Sequence, residues 1–310
     1  MPDLTAKKER RSLLQAVAPW LVVAFVFYWL FRIVPFGKLV EALARAPLGA
    51  FVALTVVYVA VNLLADTFAT WTTFRRALPD VPLTYRDTLE IRGATYLLAV
   101  VHYGAGQGGL AYFLHRRYGV AVPRTAGAVI LVMGVNVVVV AMCAFVGILA
   151  GGAPETAALR WIVLAFAAGF PIYLAVIALR PRFLMRIHTL GPLFEAGLRG
   201  HAVAIAARLP HMAVLVTANF LAMRLFGVTP PLDKALVLLP IVFVLAVLPI
   251  SPSGLGTAQL AAVTLFADFA HGATLDERRT AVAAYSLGLQ FLGLLVQAAV
   301  GVFFLRRATR

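Results

Sequence analysis

The chain has 310 residues, of which 62% are hydrophobic and only 13% charged, and 27 basic against 13 acidic residues leave a formal net charge of +14. That composition excludes a soluble domain and predicts an integral membrane protein. The basic residues are dispersed between apolar runs rather than gathered on one groove-sized surface, so the charge points to lipid headgroups and excludes nucleic acid as a partner.

A backbone in lipid must satisfy its own polar groups, in helices or in closed barrels. The apolar runs are continuous and lack the alternation of barrel strands, which predicts an all-α polytopic bundle. No polar stretch is long enough for a separate soluble fold, so residues 1–310 read as a single membrane domain.

The chain begins with the basic run KKERR and an apolar segment. ALA at 42–44 resembles a cleavage site, but the segment is about 20 residues long, beyond the usual signal core of roughly 7 to 15. An uncleaved anchor is expected. With about 20 apolar residues per crossing, six full spans fall at 15–34, 48–69, 125–149, 158–179, 205–226 and 282–305. Cys143, the lone cysteine, lies within an apolar run and has no disulfide partner in the chain.

Two regions do not fit complete crossings. Residues 88–118 read TLEIRGATYLLAVVHYGAGQGGLAYFLHRRY, with Gly104, Gly106, Gly108 and Gly109 between two short apolar pieces. Residues 235–270 repeat the plan around SPSGLG. The limb at 235–250 would extend only about 24 Å against roughly 30 Å of hydrocarbon. Each region is therefore expected to be a re-entrant pair, turning on its glycines and leaving by the face it entered. Broken backbone at that depth must be buried in protein or line a wet cavity.

Charge supports this topology. The first pair is flanked by Arg75, Arg76, Arg86, Arg92, Arg116, Arg117 and Arg124, and the segment 180–208 holds Arg180, Arg182, Arg186, Arg199 and Arg208. Six spans and two re-entrant pairs put these, the N-terminal basic run and Arg306, Arg307 and Arg310 on one side, with both termini cytoplasmic. The two pairs then insert from opposite faces, as in an inverted repeat with a binding site between them.

Polar residues within the apolar regions are the functional candidates. Asp66 is either solvated near the cytoplasmic interface or a buried partner for Arg92 or another cation. Arg92 and Tyr96, four apart on one helix face, either hold a phosphate together or anchor the interface. His102, Tyr103 and Gln107 share that pair, and Arg116 and Arg117 end it as an orientation signal or a headgroup contact. In the second pair Ser251, Pro252, Ser253, Gly254, Gly256, Thr257 and Gln259 offer hydroxyls, an amide and a helix N-terminus suited to an anionic headgroup. Ser253 could equally be a helix cap. Asn136, Asn219, Gln290 and Gln297 face helix neighbours or a cavity.

No catalytic arrangement is visible. Ser253 lacks a G-x-S-x-G context, the six histidines show no metal-ligand spacing, and GAGQGG lacks the Lys-Ser/Thr of a nucleotide loop. Neither an enzyme nor a cofactor is expected.

LPISPSGLGTAQL, at 248–260, resembles the Pro-rich, Gly-x-Gly segment of the lysylphosphatidylglycerol synthase transmembrane (flippase-like) family. ATYLLAVVHYGAGQGGLAYFLHRRYGV is similar to that family's first conserved region, and its ending is carried here by Tyr112, Leu114, Arg116, Arg117 and Gly119. Gln259 stands where the family's acid is expected, the helix after GAGQGG reads VILVMGVNVVVV without an arginine, and the aminoacyl-transferase domain of full synthases is not in the sequence. The resemblance implies a bacterial inner (plasma) membrane protein that moves or accommodates an anionic or glycosylated lipid, with membrane lipids as partners and the two broken pairs as the lipid path. The alternative is a non-transporting partner that docks a lipid-modifying enzyme on basic loops such as 180–208.

Overall fold

A computed structural model describes residues 27–308 apart from 29, 33, 102, 150–156 and 248–254. The described chain is helical: α1 (Phe36–Arg45), α2 (Leu48–Ala77), α3 (Tyr85–Val101), α4 (Tyr103–Tyr118), α5 (Val122–Leu149), α6 (Ala157–Leu179), the short α7 (Arg182–Met185), α8 (Gly191–Leu225), α9 (Leu232–Val247), α10 (Thr257–Phe266) and α11 (Leu275–Ala308). Among the described residues no strand forms, and the sole β element is an isolated bridge. The all-α polytopic expectation holds.

Among the described residues four helices, α2, α5, α8 and α11, are long and apolar enough to cross a membrane. Their polarity is inside out relative to a soluble protein. On α2, Val52, Val56, Val61, Leu64 and Phe68 are exposed, while Thr55, Asp66, Thr67, Thr70 and Thr73 are buried. Water would penalise that outer stripe, whereas hydrocarbon solvates it and leaves the polar groups to be satisfied within the bundle. Thr55 and Thr73 accordingly return their hydroxyls to the carbonyls of Phe51 and Ala69, at 2.8 and 2.7 Å.

The expected span at 15–34 lies largely outside the described residues. The helices at 48–69 and 205–226 are longer than expected, running over Leu48–Ala77 and Gly191–Leu225. Gly197, at φ 58°, turns α8 near its start, a backbone conformation that L side chains avoid. The segment 180–208, expected as a cytoplasmic loop, is thus largely helix, and Arg208 is buried in the bundle.

The first broken region is an antiparallel hairpin. Ala99 lies against Gly106, Thr95 against Gly109, Glu90 against Arg117 and Asp87 against Tyr118, pairs that step outward along α3 and α4. Limbs of 17 and 16 residues span about 25 Å each, short of the hydrocarbon thickness. One correction concerns the glycines. They do not form the reversal but lie inside α4, where a Cβ on Gly106 would come within 2.8 Å of the Ala99 side chain and one on Gly109 would strike Leu98. The role of Gly106 and Gly109 is close packing of the two limbs.

The second broken region also returns to its starting end. Val228, just before α9, bridges antiparallel to Ala270, just after α10. Thr229 N–H donates to the Phe269 carbonyl at 2.8 Å and His271 N–H to that of Gly227 at 2.9 Å. The SPSG segment between the limbs is outside the described residues.

The hairpins open at opposite ends. Arg76 packs on Gly200 and Asp66 pairs with Arg208, while Phe51 meets Phe226 with ring centroids 5.0 Å apart, so α2 and α8 run antiparallel. The first hairpin follows the end of α2 and the second follows the end of α8.

At the end where the first hairpin opens, Arg124 donates to both Asp80 oxygens, at 2.7 and 2.6 Å, and to Glu195 at 2.7 Å. This ties the α2–α3 loop to α5 and α8. The Arg124 hydrogen bonds hold the Asp80 carboxyl below its ordinary value. A depressed folded value contributes stability above the unfolded value of about 3.9, lost as pH falls through the folded one. Asp80→Asn should therefore lower thermal stability in detergent by on the order of 0.5 kcal/mol at neutral pH, given the exposure of the pair. The gap to the parent protein should close as pH drops below about 4, and a gap that persists in acid would detach it from Asp80 ionisation.

Candidate functional site: a charged cavity joined to a neutral one

Asp66 sits on the inner face of α2 and is 3% exposed. Arg92 of α3 reaches it through Nε and Arg208 of α8 through Nη1, one guanidinium on each carboxylate oxygen. The sequence left Asp66 between a solvated and a buried reading, and the fold puts it in the buried pair with Arg92. Arg208 is the added partner. Two cations on one carboxylate leave an excess of one positive charge inside the bundle.

Beside this triad lies a cavity of about 190 Å³. The first hairpin contributes Arg92, Tyr96, Tyr103, Gly106 and Gln107; the remaining walls include Asn62 of α2, Asn136 of α5, His211 of α8 and Gln297 of α11. Tyr96 accepts a hydrogen bond from Asn62 Nδ2 at 3.3 Å. Five buried atoms on this wall lack a protein hydrogen-bond partner: Asn62 Oδ1, Gln107 Oε1, Asn136 Oδ1, Arg208 Nε and His211 Nδ1. Isolated buried polar atoms cost roughly 1–3 kcal/mol each, so such a concentration marks a place built for a polar guest.

A second cavity, of about 250 Å³, is lined by the second hairpin through Val242, Phe243, Ala258 and Gln259. Asn136 and Gln297 line both cavities, so the two adjoin at the middle of α5 and toward the end of α11. Gln259 is 2% exposed, and its Oε1 accepts the Gly256 N–H at 2.7 Å, which caps α10. Gly256 takes φ 84° there, the left-handed conformation that favours glycine.

A larger cavity lies elsewhere. About 620 Å³, it lies between α5, α6 and α8 on another face of α5 and is apolar except for Tyr173 and His201, whose hydroxyl and Nε2 are 2.6 Å apart. It has the size and lining of an acyl-chain space but none of the charge.

The sequence matches the family model for the lysylphosphatidylglycerol synthase transmembrane region over residues 16–301. The chain belongs to that family. Among curated proteins, no sequence matches it.

The two glycine-bearing regions singled out in the sequence are the two hairpins, and each lines one cavity. Arg92, Tyr96, Gly106 and Gln107 come together in the first and Gln259 in the second. Gly109 packs against α3, whereas Gly104 and Gly108 are exposed. Arg117 lines neither cavity and closes the open end of the hairpin on Asp87 and Glu90, at 2.6 and 2.9 Å. Arg116 is exposed and contacts Tyr112 at 3.4 Å. Ser251, Pro252, Ser253 and Gly254 lie outside the described residues; the N-cap of α10 is Gly256.

Sequence reasoning missed Arg208, Asn62 and His211. A signal existed for two of them, since Arg208 and His211 are three apart and share a helix face within an apolar stretch. Removing the only carboxylate should be the worst change to the triad, because breaking a buried pair costs about 3–5 kcal/mol and here strands two guanidiniums. Asp66→Asn is therefore expected to lower the melting temperature more than Arg92→Met, which leaves a one-to-one pair with Arg208. Thermal unfolding in detergent reads the order directly, and the reverse order would mean that the cation excess is not what Asp66 offsets.

Proposed function

We propose that the protein is a lipid flippase, carrying an anionic or glycosylated headgroup across the bacterial inner membrane through the joined cavities while the acyl chains stay in lipid. The supporting observation is one tract of buried polar groups running between two hairpins that open at opposite ends of an apolar-surfaced bundle.

An unshielded phosphate in hydrocarbon faces a cost of tens of kcal/mol. The tract replaces water with fixed donors, and the surplus guanidinium supplies countercharge. Arg92 is the residue able to exchange partners, since Asp66 remains neutralised by Arg208 when Arg92 turns to a phosphate. Its planar fork suits two phosphate oxygens at once. Tyr96, one turn away, adds a hydroxyl donor on the same cavity wall.

The end where the first hairpin opens also carries Arg75, Arg76, Arg116, Arg124, Arg186, Arg306 and Arg307, which by the positive-inside rule makes it the cytoplasmic end. Ala308, at the end of α11, then lies on the cytoplasmic side, and the expectation of a cytoplasmic N-terminus falls outside the described residues. On this reading membrane lipids are the partners and no covalent chemistry or cofactor is involved. A docking role on the 180–208 segment is the alternative: Arg180, Arg182, Arg186 and Arg199 are exposed there, and Arg208 alone of its arginines is buried in the bundle.

Purified protein in liposomes, with tail-labelled lipids scored by outer-leaflet quenching, tests the proposal. The parent protein should speed headgroup crossing, and Arg92→Met should slow it at least tenfold while remaining folded and monodisperse. Asp80→Asn, outside the cavities, should cross lipids at the parent rate. Equal rates for Arg92→Met and parent would remove the tract from the transport path.

A further inference from the structure

The two cavities differ in charge. The first holds Asp66, Arg92 and Arg208, whereas no Asp, Glu, Lys, Arg or His lines the second among the described residues. What lines it instead are the amides of Asn136, Asn219, Gln259, Gln290 and Gln297, with the hydroxyls of Ser286, Tyr58 and Tyr285. From this partition we infer that the headgroup is a phosphate bearing a neutral, hydroxyl-rich group, glycerol or a sugar, and that cationic aminoacyl headgroups are rejected.

The inference rests on the transport reading and deepens it. Primary amides carry both a donor and an acceptor at one end, as hydroxyls do, so an amide-lined wall matches a polyol that must exchange both kinds of hydrogen bond. An ammonium is donor-only and needs anionic or carbonyl acceptors together with countercharge once it leaves water. Asp66 is the one carboxylate lining either cavity, and it is already held by two guanidiniums. The net positive charge of the adjoining cavity further repels a cation. At about 250 Å³ the neutral cavity equals roughly eight waters at about 30 Å³ each, room for a glycerol or one sugar ring.

Gln259 allows a reversal of this selectivity without loss of the fold. Its Oε1 accepts the Gly256 N–H at position N3 of α10, a role that glutamate fills equally well. Gln259→Glu therefore keeps the cap and adds a carboxylate to the neutral wall.

The experiment compares phosphatidylglycerol, phosphatidylinositol and lysyl-phosphatidylglycerol on the full-length protein, with two readouts. Short-chain soluble forms are scored by the rise in melting temperature in detergent, and tail-labelled forms by crossing in liposomes. The parent protein should be stabilised by the two polyol lipids and not by the lysyl lipid, and should move them at least tenfold faster; the two polyol arms separate a glycerol from a sugar ring. In Gln259→Glu the lysyl-to-glycerol ratio should rise at least tenfold. Equal stabilisation by all three lipids, or a ratio unmoved in Gln259→Glu, overturns the inference. Selective stabilisation without any crossing would sustain the headgroup assignment and overturn transport instead.

Discussion

A carboxylate that is almost wholly buried and shared by two guanidiniums is the constraint around which the bundle is arranged. Asp66, Arg92 and Arg208 come from α2, α3 and α8, so satisfying one charge brings a long helix, the first limb of a hairpin and a second long helix to a common point. Ion pairs of this kind are poor sources of stability, because desolvating each ion costs several kcal/mol. Their value lies in specificity: no other register of α3 against α2 places Arg92 on Asp66. The hairpin is located by an electrostatic contact, in a medium where apolar contacts with protein and with lipid are nearly equivalent.

The open ends of the hairpins are held by different means. The first is closed by Arg117 on Asp87 and Glu90, with the Tyr118 hydroxyl on Asp87 at 2.6 Å; the second is closed by backbone hydrogen bonds between 227–229 and 269–271. Charged side chains suit a position that the sequence places near headgroups, while backbone pairing satisfies polar groups with no reliance on charge. In both, described residues on the side away from the closed end line a cavity, Tyr103 and Gln107 in the first hairpin and Ala258 and Gln259 in the second.

Much of this was legible in the sequence. Limb length against bilayer thickness identified two incomplete crossings, and the side on which the arginines fall required each to return where it began. Arg92, Tyr96, Gln107 and Gln259 were singled out because a polar group in an apolar run must find a partner or a cavity. The function of the glycines was not legible: a cluster of four reads as a turn, and only the packed limbs show Gly106 and Gly109 admitting Ala99 and Leu98. Arg208 was hidden for a related reason. An arginine near the edge of an apolar run is normally an orientation signal, and its burial follows from α8 beginning well before the apolar run does, which one-dimensional hydropathy cannot anticipate.

The placement of charge along the tract carries a further consequence. In the transport proposed above, a headgroup entering at the arginine end would meet the guanidiniums first and the neutral amides second, its phosphate held most strongly in the first cavity while its remaining atoms extend into the next. Countercharge confined to one cavity makes that position the deeper well, and passage requires the phosphate to leave it. A polar but uncharged second cavity keeps that step shallow, because amides solvate an anion without trapping it. Were both cavities charged, each would retain the lipid; were neither, the phosphate would have no reason to leave water. On the proposed transport reading, one charged cavity followed by one neutral cavity is the arrangement that would both admit an anionic headgroup and let it go.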